Sequence, residues 1–209
     1  MAFTKAQKFF GFIAVAFIAF GTFAYVLTKP LREYSAETPK QEALPVLSTV
    51  PDFSLIDQDG KSIQLADLNG KIWLADLIFT KCEGICPTMS GNFSRLQKSL
   101  ASTDVRLVSF SVDPEYDSGA VLREYASRYN ADPAKWTFVT GHRPTIFSLA
   151  QKGFLLGVDS AGLSPDALVT HSEKFVLIDK KGQMRGYYDG TDSTSEVRIL
   201  EDIRRLQQE

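Results

Sequence analysis

The chain has 209 residues, 44% of them hydrophobic and 23% charged, which is enough apolar material for a core and argues against a disordered chain. Its formal net charge is −2, yet all 25 acids lie beyond residue 32, so residues 30–209 carry 20 basic against 25 acidic side chains. A mildly acidic body without a basic stripe excludes nucleic acid as a partner.

Lys5 and Lys8 lead into Phe9–Thr28, twenty residues without a charge. As a helix, that run is long enough to cross the ~30 Å hydrocarbon layer. The short basic leader, residues 1–8, is expected in the cytoplasm, with a transmembrane anchor over 9–28 and the remainder exported. A cleaved signal peptide is the alternative: Thr22-Phe23-Ala24 offers a cleavage site, but the apolar run continues through it. Both readings place the cysteines outside the reducing cytosol. No Arg-rich transit segment precedes the run, which favours a bacterial inner membrane with the domain on its periplasmic side. Residues 29–49, with three prolines and mixed charge, read as a tether. The alternative for its second half is an edge segment packed on the domain.

The folded domain is expected over 50–209. Val50–Leu55 and Ser62–Leu65 flank Asp57-Gln58-Asp59-Gly60 and predict a hairpin. Lys71–Phe79 is apolar nearly throughout, as a strand buried on both faces requires. The cysteine segment follows at once, and Met89, Phe93, Leu96 and Leu100 then mark a helix over 89–100. Val105–Val112 predicts a strand, Gly119–Tyr129 an amphipathic helix, Trp136–Gly141 a short strand and Pro144–Leu155 a helix. Lys174–Ile178 and Gly186–Tyr188 flank a second hairpin turn, Asp179-Lys180-Lys181-Gly182. Ser195–Leu206 closes the chain as a helix that Ser193 or Ser195 caps. This order predicts an α/β domain: a mixed sheet with helices on both faces, in the thioredoxin-like arrangement, preceded by one N-terminal transmembrane helix.

The chain's two cysteines, Cys82 and Cys86, stand at the strand-to-helix turn of Thr80-Lys81-Cys82-Glu83-Gly84-Ile85-Cys86-Pro87. Unpaired N–H groups and the helix dipole there favour a thiolate. Lys81 beside Cys82 adds to that preference. Spacing of four would make the sulfurs neighbours if residues 82–86 formed a helical turn. The pair could be a structural disulfide, a redox couple, or two ligands for a soft ion such as linear Cu(I). Zinc fits less well, because a closed site would lack its fourth ligand. Of the two histidines, His142 reads as a surface loop residue. His171 precedes the strand 174–178, and in a thioredoxin-like fold the loop before that strand faces the cysteine turn. His171 is therefore the residue placed to complete a Cys₂His site.

Four segments in order resemble the Sco/SenC proteins: Phe79–Pro87, Ser111–Asp117, Trp136–Gly141, and His171 before an apolar strand. The likeness runs from about residue 50 to 190. It implies a membrane-tethered, thioredoxin-like copper protein that assists assembly of the binuclear copper site of cytochrome c oxidase, as copper donor or as thiol reductant. The implied copper ligands, for Cu(I) or Cu(II), are Cys82, Cys86 and His171, with Asp113 nearby. The implied partner is the oxidase copper-site subunit or another copper carrier. Glu83-Gly84 stand where the family usually has Pro-Asp, and Thr170 stands where an acid is common. The rival reading is a thiol–disulfide oxidoreductase in which Cys82 attacks and Cys86 resolves. Against it, no proline stands before the 174–178 strand, where thioredoxin-type reductants receive substrate backbone. A peroxidase would need a Thr-x-x-Cys spacing that Thr80 and Cys82 do not have.

Overall fold

The computed structural model describes residues 17–27, 42–156 and 172–209. The chain divides into two compact units, Met1–Glu42 and Ala43–Glu209. In the first, residues 17–27 form a helix, α1, with Phe17, Phe20, Phe23 and Val26 exposed. It covers the second half of the expected span 9–28, whose other residues lie outside the described ones. Among the described residues no helix is long and apolar enough to cross a membrane.

The second unit runs β1 (Ser48–Thr49), β2 (Ser54–Asp57), β3 (Ser62–Gln64), α2 (Leu65–Leu68), β4 (Trp73–Ile78), α3 (Ile85–Ser99), β5 (Arg106–Ser111) and α4 (Gly119–Arg128). It continues with β6 (Trp136–Thr140), α5 (Arg143–Ser148), a π-helical turn (Leu149–Gly153), β7 (Lys174–Ile178), β8 (Gln183–Asp189) and α6 (Ser195–Gln208). The strands form one sheet in the order β1-β8-β7-β4-β5-β6-β2-β3. β4, β5 and β6 are parallel, while β7 pairs antiparallel with β4 and β2 antiparallel with β6. This is the mixed, thioredoxin-like sheet read from the sequence.

The pleat of β4 sorts its side chains into two cores. Leu74 and Ile78 pack with Met89, Phe93 and Leu96 of α3, Leu122 and Tyr125 of α4, and Ile199 and Ile203 of α6. Trp73, Ala75 and Leu77 pack on the opposite face with Phe110, Ile146 and Phe154. Both hairpins expected from turn signals form, with Gly60 (φ 79°) and Gly182 (φ 72°) in the left-handed region that glycine enters without steric cost.

Three details differ from the pattern reading. α3 starts at Ile85 rather than Met89, because Cys86 belongs to its buried face. The helix expected over 144–155 loosens into the π turn after Ser148. The end of the expected tether packs on the sheet: Ser48–Thr49 pair with β8, and the Arg185 guanidinium donates to the Leu44 carbonyl at 2.6 Å. Arg185 also pairs with Asp179 at 2.7 Å and with Glu209 at 2.8 Å, so one buried cation ties β8 to both ends of the domain.

Candidate metal and redox site

β4 is the central strand, and its C-terminal end points at the N-terminus of α3, where open α/β sheets expose ligands. Phe79, Thr80 and Lys81 carry the chain off the strand. The Cys82 amide donates to the Phe79 carbonyl at 3.1 Å, and Gly84 forms the N-cap before Ile85 begins the helix. Residues 82–84 are thus a loop, not a helical turn. Cys82 sits on that loop and Cys86 in the first turn of α3.

Asp117 holds the turn in place. It is fully buried in the β5–α4 connection, accepts from the Thr80 amide at 3.2 Å and from the Thr80 hydroxyl at 2.5 Å, and accepts from the Ser111 hydroxyl at 2.5 Å. The Ser111 hydroxyl in turn accepts from the Asp113 amide at 3.1 Å. The Ser111–Asp117 loop is therefore fastened to the start of the cysteine turn. Asp113 itself faces Arg143 at 3.7 Å, and Arg143 is bound to Glu115 by a bidentate contact.

Both cysteines are free thiols and buried, Cys82 at 7% exposure and Cys86 at 3%. Their chemistry diverges. Burial works against a Cys82 thiolate, but the Cys86 amide, the Cys86 thiol and the amides of Gly84 and Ile85 outweigh it, and the pKa is lowered. Burial pushes the Cys86 thiol up to about 12, with the charges of Cys82 and Asp76 adding to it and the Phe79 backbone opposing it. The Lys81 ammonium lies over the Tyr116 ring, 3.5 Å from the centroid. The groups that lower Cys82 are the amides at the helix start and the Cys86 thiol.

His171 lies outside the described residues. The described chain resumes at Ser172, and the antiparallel register of β7 on β4 puts that end of β7 on the cysteine side of the sheet. Among the described residues no three His, Cys, Asp or Glu side chains come together as a metal site. Two soft thiols at one strand-to-helix turn suit a soft ion such as Cu(I).

Two residues near the site went unread in the sequence. Asp117 closes the Ser111–Asp117 segment, but its partner Thr80 is 37 residues away in the chain. Asp76 is a lone acid inside an apolar strand, and that contrast was the available signal. It is 1% exposed, with neither oxygen hydrogen-bonded. Burial raises its pKa to about 7 despite the nearby Ser109 hydroxyl, which lowers it without forming a bond of normal geometry.

Comparison with known proteins agrees with this architecture. The SCO1/SenC family profile matches residues 41–208. An SCO1 protein homolog of Bacillus subtilis is 37% identical over 163 residues, covering 77% of this chain and 83% of the relative. The structure of BsSco, described as a member of the Sco family of cytochrome c oxidase assembly proteins with a disulfide switch, is 35% identical with a TM-score of 0.70, over 79% of this chain and 98% of that one. Copper-bound ScoI of Arabidopsis thaliana is 26% identical with a TM-score of 0.61, over 76% of this chain and 99% of that one. The chain belongs to the SCO1/SenC family.

Proposed function

We propose that this protein is a membrane-anchored copper carrier that helps to assemble the binuclear copper site of cytochrome c oxidase. Cys82 and Cys86 hold the copper as thiolates and His171 is the third ligand. The observation that carries this reading is the pair of free, buried thiols at the end of the central strand, one of them with its pKa lowered by helix-start amides and by the other thiol. Family membership and the copper-bound and oxidase-assembly relatives support it. Copper is the cargo: a site of two thiolates and one imidazole accommodates Cu(I) and Cu(II). It passes by ligand exchange to cysteines of the oxidase copper-site subunit or of another carrier. The uncharged run 9–28 and the exposed apolar helix α1 support an anchor in a bacterial inner membrane, with residues 1–8 cytoplasmic and the domain over 50–209 on the periplasmic side.

A second reading, thiol–disulfide exchange with oxidase or other exported cysteines, is favoured by one observation: the two thiols are unequal, Cys82 lowered and Cys86 raised. That inequality suits one attacking and one resolving cysteine. His171→Ala separates the two roles. A copper carrier loses most of its Cu(II) binding while its dithiol still cycles. If the variant binds Cu(II) as the wild type does, His171 is not a ligand and the carrier reading loses its third donor.

A further inference from the structure

Three sulfur-bearing side chains share one face of the sheet at its cysteine end. The chain has two cysteines and three methionines, Met1, Met89 and Met184. Met184 packs in the core on the opposite face, whereas Met89 belongs to the core that holds Cys82 and Cys86. α3 carries Cys86 and Met89 three positions apart, both on its buried stripe with Phe93 and Leu96. Residues at that spacing are neighbours on a helix surface. A long helical side chain also leans back towards the N-terminus, over the preceding turn. For Met89 that turn is Ile85 and Cys86, where α3 begins.

The far end of Met89 is fixed from another side. Gly190 follows β8; its amide donates to the Glu173 carbonyl at 2.6 Å, and its carbonyl accepts from the Asn92 side chain at 2.6 Å. A Cβ at Gly190 would stand 3.1 Å from the Met89 methyl and 2.9 Å from the Phe175 ring. In the β4–β7 ladder Ala75 faces Val176, and the same register continued sets position 173 level with Ile78. The Met89 methyl therefore lies beside the last residue of β4, just before the chain turns off towards Cys82.

Methionine often does no more than fill an apolar gap, as Leu96 does further along the same stripe. Met89 differs in its donor chemistry. A thioether, like a thiolate, is a soft ligand that selects Cu(I), and among the described residues Met89 is the one soft side chain in this core besides the two cysteines. Neighbouring polar groups on α3 are engaged elsewhere: Ser90 with the Tyr125 hydroxyl at 2.9 Å, and Asn92 with Gly190. Asp76 points to the same face, but a carboxylate is a hard donor, and no three His, Cys, Asp or Glu side chains meet among the described residues.

We propose that the Met89 thioether is a ligand for Cu(I) beside Cys82 and Cys86, giving the reduced cargo an all-sulfur site. This rests on the copper-carrier reading. A neutral thioether adds a soft donor without adding charge, and it contributes little to Cu(II), which the His171 imidazole serves. The two oxidation states then differ in their third donor, sulfur for Cu(I) and nitrogen for Cu(II). Reduced copper stays bound when the imidazole leaves, which opens the position that a cysteine of the recipient enters.

The test loads the reduced full chain in detergent, with selenomethionine in place of methionine, with one equivalent of Cu(I) under argon. X-ray absorption at the copper and selenium edges then reads which atoms surround the metal. The expected result is a Cu–Se contact that persists in Met184→Leu and is lost in Met89→Leu, a substitution that keeps the volume. In competition with a chromophoric Cu(I) chelator, Met89→Leu weakens Cu(I) by ~10-fold or more and leaves the Cu(II) bands unchanged; equal losses for both states would mark a packing role and overturn the inference. The Cu–Se contact also persists in His171→Ala, and its loss there overturns the claim that sulfur alone holds Cu(I). Met89→Ile replaces the leucine variant if that one does not fold. Copper bound without a Cu–Se contact overturns the inference and leaves the carrier reading intact. A chain that takes up no Cu(I) overturns the carrier reading, and this inference with it.

Discussion

Asp76→Asn has a consequence for stability that follows from burial alone. The carboxyl's pKa rises from 3.8 to about 7 on folding. Below about pH 4 the group is protonated in both folded and unfolded chains and imposes no penalty. As pH rises from there towards 7, the unfolded chain ionises while the folded one stays protonated, so stability falls. Above about pH 7 the penalty is constant. That rise from 3.8 to about 7 is worth ~4 kcal/mol, more than half of it arising between about pH 5 and pH 8. Asparagine has the same shape and no charge, so the variant escapes this loss, although its buried amide costs ~1–3 kcal/mol at every pH. Urea unfolding of the reduced protein, wild type and variant side by side, measures the difference. The expected result is a variant that gains on the wild type by ~2–3 kcal/mol between about pH 5 and about pH 8, whatever its constant amide cost. Stability curves that stay parallel over this range would show that Asp76 ionises normally in the folded protein and refute the reasoning.

Timed alkylation of the reduced protein should modify Cys82 first, with a midpoint below that of an ordinary thiol, while Cys86 reacts slowly until high pH; equal rates would contradict the inequality. Asp117→Ala strips the Thr80 amide and hydroxyl and the Ser111 hydroxyl of their acceptor, and should cost ~2–4 kcal/mol in denaturant unfolding while widening the reactivity of Cys82. Arg185→Met leaves the Asp179 carboxylate buried without its cation and should cost ~3–5 kcal/mol; a loss under ~1 kcal/mol would mean that water replaces the guanidinium there.

The sheet was legible because its strands are bounded by turn signals and its central strands are apolar on both faces. Lys71–Phe79 and Val105–Val112 contain β4 and β5, each a little longer than the strand that forms. The cysteines at the end of the first buried strand were legible for the same reason, since a strand-to-helix change fixes where they sit. The start of α3 was not: Cys86 was weighed as chemistry, whereas its side chain also fills a core position on the helix. The π turn after Ser148 inserts a residue into a helical repeat, which an apolar pattern tolerates without a mark. The role of Asp117 depends on a loop brought beside Thr80 by the parallel pairing of β4 and β5, a long-range contact that local pattern does not encode. The same holds for Lys81, whose neighbour in sequence is Cys82 but whose neighbour in space is the Tyr116 ring.

The central claim, that the paired thiols hold copper, is tested most directly by titrating copper into the reduced full chain and recording metal content and absorption together. The account predicts a single copper per chain with thiolate-to-Cu(II) bands that vanish in Cys82→Ala and in Cys86→Ala. Copper that binds only weakly, with bands unchanged in either variant or with the thiols simply oxidising to a disulfide, would contradict it.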